Sequence, residues 1–252
     1  MSRLVQTVLV LLLFAIPVQA ASGVGRPAKS LADTVAAVDV GHSPKRPGAT
    51  SARGVPEYRF NLELARRVVA ELRAAGLVRA FLLDEAGTDI PPAGRAALAN
   101  RKKADILISI HHDSVQPHYL ATWPFDGRQR KYCDRFSGYS LFFSAKNPAA
   151  AASIDLGKSI GESLRSAGFT HTTHHAEAIP GENRELIDPE RGLYRYDGLA
   201  VLYRARMPAV LVEAGVIVNR DEETALADPA RQERMARAIA QGVATYAAAS
   251  RP

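Results

Sequence analysis

The sequence predicts an α/β fold: a single domain with a twisted, mostly parallel or mixed sheet of about six strands flanked by helices. Three observations carry that expectation. Short apolar runs of strand length alternate with stretches of helical periodicity from Val35 onward, which is the pattern of layered α/β architecture. Of the 252 residues, about 220 remain once the N-terminal segment is set aside, enough for one well-buried domain. No internal repeat and no composition break divides them.

Residues 1–20 read as a secretory signal. Arg3 supplies a short positive region, Leu4 to Ile16 is apolar apart from Gln6 and Thr7, and Val18-Gln19-Ala20 places small residues where a signal peptidase cuts. The run is short for a membrane span. A permanent N-terminal anchor is the other reading, and Pro17 with the small residues argues against it. No cysteine follows the run, which argues against a lipid anchor. Residues 21–30 form a flexible lead-in, and residues 31–250 the folded domain. The expected location is outside the cytoplasm, periplasmic or associated with the cell wall, with no stable membrane insertion after cleavage.

The elements then follow in order. Val35 to Val40 is a buried strand running into Gly41-His42, and Ser43 to Gly54 is a Pro/Gly-rich loop. Glu57 to Ala75 is the clearest helix, with Phe60, Leu64, Ala65, Val68, Val69 and Leu72 at helical spacing and Gly76 as its stop. Ala80 to Asp84 is a second strand, and Pro91 to Lys103 a helix with proline at its start. Ile106 to His111 is the most apolar strand. Pro117 to Ser137 reads as an irregular surface excursion. Tyr139 to Phe143 is a strand and Ala149 to Ala167 an Ala-rich helix. Gly168 to Tyr196 shows no periodicity and reads as a long loop, of the kind that is often functional. Leu199 to Tyr203 and Ala209 to Glu213 are read as the last two strands, and Pro229 to Ala249 as a closing helix.

Composition narrows the function classes. The formal charge is +6, or +5 without Arg3, so an exported form is drawn to anionic polymers and membrane surfaces. No basic run with interleaved aromatics points to nucleic acid. Cys133 is the only cysteine, which excludes an internal disulfide and a cysteine-based metal cluster. No histidine neighbours it in sequence, so it reads as a loop residue rather than a nucleophile.

Four residues stand where chemistry gathers in α/β sheets, beyond the carboxyl ends of strands. His42 follows the first strand, His111 ends the third, and Glu57 opens the helix after the His42 loop. Two histidines and a carboxylate form a common catalytic zinc set that leaves a position open for water. Each alone has an ordinary alternative: a hydrogen-bonded strand-end histidine, or a Glu favoured by the helix dipole. Glu213 ends the apolar run Val210-Leu211-Val212, where a carboxylate is costly unless paired. Taken alone it reads first as a salt-bridged structural Glu. A proton acceptor for an attacking water is the other role open to it.

The whole pattern resembles the zinc-dependent N-acetylmuramoyl-L-alanine amidases of the type-3 group. Four blocks correspond in order: Asp39-Val40-Gly41-His42 with Pro47-Gly48-Ala49; Glu57 with Asn61; Asn100, Ala104-Asp105 and Ser109-Ile110-His111; and Met207 to Gly215 with Asn219. The resemblance runs from about Val35 to Tyr246. It implies that His42, Glu57 and His111 hold Zn2+, that Glu213 is catalytic, and that residues 31–250 are a catalytic domain. The implied reaction is hydrolysis of the amide between N-acetylmuramic acid and L-alanine in peptidoglycan, with a protein activator as a possible partner. A zinc peptidase acting on stem peptides, and an inactive wall-binding regulator on the same fold, are the rivals. Retention of all four chemical residues argues against the second.

Three departures from the family pattern bear on loop shape and substrate preference: Ser43-Pro44 after His42, His112-Asp113 after His111, and Val216 and Val218 in the last block. Strand alternation lets only one of His111 and His112 face a metal, and the resemblance selects His111. His112 then supports the site from behind or lies on the substrate side. His171, His174 and His175 are read as part of a polar loop, with a second metal site as the alternative. Glu177, Glu182 and Glu185 are candidates for a carboxylate that blocks the zinc.

Overall fold

The computed structural model describes residues 29–249. The expected signal segment and most of the lead-in therefore lie outside the described residues. The elements run β1 (Ala36–Val40), α1 (Glu57–Ala74), β2 (Phe81–Leu82), α2 (Pro92–Arg101) and β3 (Ile106–Asp113). They continue through β4 (Ala121–Phe125), β5 (Arg128–Tyr132), β6 (Ser140–Phe143), α3 (Ala150–Ser166), β7 (Glu185–Asp188) and β8 (Leu193–Arg195). The chain closes with α4 (Ala200–Tyr203), β9 (Ala209–Val216), α5 (Arg220–Ala227) and α6 (Pro229–Ala249).

Seven strands form one sheet in the order β2-β1-β3-β9-β6-β8-β7. β2, β1, β3 and β9 pair in parallel, β6 runs antiparallel to β9, and β7 antiparallel to β8. The central strands are apolar on both faces because helices cover both. Ala36, Val38, Val40, Ile106, Ile108, Ile110, Val210 and Val212 share one core with residues of α1, α3 and α6. Val35, Ala37, Leu107, Ala209 and Leu211 meet Ala99 of α2 and Val201 and Leu202 of α4 on the other face. By strand alternation, Asp39, Ser109, His111 and Glu213 belong to this second face.

The structure corrects three expectations. Leu199 to Tyr203 is not a strand: residues 200–203 make the short helix α4, with Val201 and Leu202 buried in the second core. Five apolar residues do not distinguish strand from helix by periodicity, and both edges of β9 are already taken by β3 and β6. The expected surface excursion at 117–137 contains the β4–β5 hairpin, turned by Asp126 (φ 49°) and Gly127 (φ 68°). Asp-Gly with both residues at positive φ is the favoured two-residue hairpin turn. The expected loop at 168–196 contributes β7 and β8 to the sheet edge, strands too short to show a period. The sheet thus keeps the mixed class expected, with seven strands of partly different membership. Helix α5, absent from the sequence reading, starts at Asn219, whose side chain accepts from the backbone N–H groups of Asp221 and Glu222, an N-cap.

Candidate metal centre

His42, Glu57 and His111 come from the loop after β1, the start of α1 and the C-terminal part of β3, and meet at the carboxyl end of the sheet. One ligating atom from each lies within 4.8 Å of the others. His42 Nε2 is 3.0 Å from Glu57 Oε2, and His111 Nδ1 is 3.1 Å from Glu57 Oε1. The two imidazoles meet edge to face with ring centroids 5.0 Å apart. Glu57 is buried, whereas the His42 side chain keeps about a third of its surface exposed, so the cluster opens to solvent through His42.

Local backbone features set these positions. His42 adopts φ 68°, an uncommon conformation for a residue with a side chain. The buried Arg95 of α2 clamps it by donating to the carbonyls of Val40 (2.9 Å), His42 (2.5 Å) and Ile90 (2.9 Å). Gly41 and Gly48 are required for space. A Cβ at Gly41 would stand 2.5 Å from the His111 ring, and one at Gly48, itself at φ 79°, would stand 2.4 Å from Glu57 Oε2. Glu57 opens α1, where the helix dipole favours a carboxylate, and the Ala49 N–H donates to its Oε2 at 3.1 Å. Asn61, one turn on, donates to Glu57 Oε1 (3.0 Å) and to the Gly41 carbonyl (3.1 Å). Its Oδ1 lies 2.8 Å from His112 Nδ1. His112 is buried against Phe60, so it braces Asn61 from behind and has no substrate side.

Glu213 stands on β9 with its Cα paired to that of His111. It is partly buried, and its Oε2 is shielded with no hydrogen-bond partner. Burial, with the charges of Asp113 and Glu57, pushes its carboxyl well above the ordinary range. Burial also works to raise Glu57, but hydrogen bonds from His111 and His42 outweigh it and hold that carboxyl well below the usual range. Burial keeps His112 neutral, with its pKa lowered to about 3. A cavity of about 390 Å³ beside the cluster is lined by His42, Arg46, Arg95, His111, Leu199 and Val201, among others. A larger hollow of about 540 Å³ between α3 and α6 contains none of the four residues.

With these positions defined, comparison with known proteins becomes informative. Residues 36–245 match the family described as Amidase_3, N-acetylmuramoyl-L-alanine amidase. The chain belongs to this amidase family. The amidase AmiC of Escherichia coli is 25% identical over 234 residues, covering 83% of this chain and 52% of that protein. AmiA of Escherichia coli K12 is 28% identical over 225 residues, covering 86% and 78%. The chain thus spans about half the length of some curated relatives and more of others. Among solved structures, the amidase Ami1 of Mycobacterium smegmatis shares the fold at TM-score 0.68 and 23% identity, covering 88% of this chain and all of that one. The catalytic domain of the amidase CwlV from Bacillus (Paenibacillus) polymyxa gives TM-score 0.64 at 25% identity, covering 84% and 97%.

The structure also brings together histidines that the sequence predicts to lie in a polar loop. His174 and His175 are buried and meet Asp113, with one ligating atom from each within 4.8 Å of the others. His171 stands apart, bridged to Tyr139. The candidate blocking carboxylates have other partners. Glu177 accepts from Tyr119 and Arg135, Glu182 bonds His175 and Gln116, and Glu185 pairs with Arg195. Cys133 is free and buried beside Phe136, Val216 and Val218.

Proposed function

We propose that this protein is an exported, zinc-dependent N-acetylmuramoyl-L-alanine amidase, which hydrolyses the amide between N-acetylmuramic acid and L-alanine in peptidoglycan. The observation that carries this reading is the convergence of His42, Glu57 and His111 around one point, with Glu213 paired to His111 on the neighbouring strand. Two imidazoles and a carboxylate are good ligands for zinc, and the glycines at 41 and 48 leave the space that the set needs. The residues therefore fit the ion. When bound, zinc polarises a carbonyl and makes water more acidic.

The chain's own groups do the rest. Glu213 accepts a proton as water adds to the scissile carbonyl carbon, and returns a proton to the leaving nitrogen of L-alanine as the C–N bond breaks. Asn61, the Ala49 N–H and Arg95 keep the ligands in place, so little reorganisation accompanies reaction. The adjoining cavity gives the muropeptide a place to lie, and the net positive charge draws the protein towards an anionic wall.

Digestion of purified sacculi by the zinc-loaded protein, followed by mass spectrometry, tests this reading. The expected products are intact glycan strands and stem peptides that begin with a free L-alanine. Cleavage only within the stem would make the protein a peptidase. Binding without cleavage would make it a wall-binding protein.

A further inference from the structure

We propose that Asp113, His174 and His175 form a second divalent-metal site, suited to zinc and separate from the His42, Glu57 and His111 set. Both imidazoles turn Nε2 towards the same oxygen: His175 Nε2 lies 2.8 Å from Asp113 Oδ2, and His174 Nε2 lies 3.3 Å from it. The opposite nitrogen of each ring is anchored. His174 Nδ1 lies 2.8 Å from Thr172 Oγ1, and His175 Nδ1 lies 2.9 Å from Glu182 Oε2. Gln116 donates to the other oxygen of Glu182 at 2.8 Å, and the Ser114 N–H donates to Asp113 Oδ1 at 2.7 Å. Three donors facing one point, each held from behind by a hydrogen-bonding group, is how metal ligands are oriented. The same arrangement holds Glu57 in the first set.

A direct ion pair accounts for only part of this cluster. A proton on each nitrogen of His175 would let it bridge Asp113 and Glu182. His174 would remain unexplained, because its Nε2 is buried near Asp113 without the alignment of a hydrogen bond and has no other partner. Such a burial is costly, and a cation between the three donors removes that cost. The setting is closed: His174 is 1% and His175 7% exposed, and Phe136, Phe142 and Tyr194 pack around the two rings. The ion would fasten the segment around His174 to the end of β3, two residues beyond His111. The proposal concerns metal binding and does not depend on the hydrolytic reaction.

The test is zinc per chain, by elemental analysis after chelation, reloading with zinc alone and removal of free ion. The starting protein is His42→Ala, whose substitution lies on the open side of the first set and leaves the second intact. About one zinc should remain in His42→Ala, and none once His174→Ala is added. An empty His42→Ala protein overturns the proposal. So does zinc that persists undiminished after His174→Ala. If the double variant does not fold, zinc X-ray absorption on His42→Ala decides. Two imidazole ligands support the second site, whereas a single imidazole places the ion on His111 and overturns it.

Discussion

Glu57 touches both histidines and Glu213 is paired to one of them, His111, and the surroundings of the two carboxylates differ in kind. Glu57 Oε1 and Oε2 each face an imidazole and each accept from a fixed donor, whereas Glu213 Oε2 has no partner. Replacing each with Gln therefore tests the proposed roles of ligand and base. Glu213→Gln keeps the side-chain volume but cannot take a proton, so zinc content should stay at the wild-type level while hydrolysis falls about 10²- to 10⁴-fold. Glu57→Gln presents a neutral amide in place of the carboxylate and should lose zinc from this site. Zinc per chain measured beside the rate of L-alanine-bearing peptide release checks both. Wild-type rates in Glu213→Gln would make that residue structural. Gly48 belongs to the same scale. At φ 79° and 2.4 Å from Glu57 Oε2 for an added Cβ, Gly48→Ala should displace the carboxylate and weaken zinc binding, read by competition with a zinc-sensitive dye.

At the scale of elements, α3 and α6 pack closely behind the sheet. Leu156, Ile160 and Leu164 recur every four residues and bury one stripe of α3 in the main core. Gly242 lets α6 approach that helix: a Cβ there would stand 2.6 Å from Ile160 Cα and 2.8 Å from the Ser159 carbonyl oxygen. Ser159 Oγ donates to the Gly242 carbonyl across the same contact at 2.7 Å. Helix propensity alone would make Gly242→Ala stabilising by about 1 kcal/mol. The obstructing atoms are backbone and cannot rotate away, so overpacking should win and destabilise the protein by about 1–3 kcal/mol. Urea unfolding with an unchanged slope would show it. A neutral or stabilising result would mean that the two helices are further apart than described.

For the whole molecule, the described residues start at Lys29. Lys29 pairs with Asp105 at 2.6 Å and Ser30 bonds Asp33, and among the described residues the hydrophobic clusters draw on positions from Leu31 onward. No helix among the described residues is long and apolar enough to cross a membrane. If residues 1–20 are a signal segment, as the sequence reads, a protein starting at Ala21 should fold and unfold in one cooperative step, measured by circular dichroism. N-terminal sequencing of the exported form should find a start near Ala21. A mature protein that begins at Met1 and stays in the membrane would make the segment an anchor.

The sequence by itself determined the α/β class and the family, and the resemblance singled out His42, Glu57 and His111, which the structure brings within reach of one another, and Glu213, which it pairs with His111 on the neighbouring strand. The class rests on local signals, apolar runs of strand length and a helical period in Glu57 to Ala75, whereas the four residues rest on the ordered resemblance of whole blocks, because each alone had an ordinary structural reading. Two missed elements also had local signals, Asp126-Gly127 for the hairpin and Asn219 before three acidic residues for α5. Only the tertiary structure decided the state of residues 200–203, because a short apolar segment takes the form that its neighbours leave open. Only it brought His175 to Asp113, 62 residues away. Periodicity reports which face of an element is buried, but not which distant loop packs on the end of a strand. That choice is made by long-range packing and by the need of buried polar groups for partners.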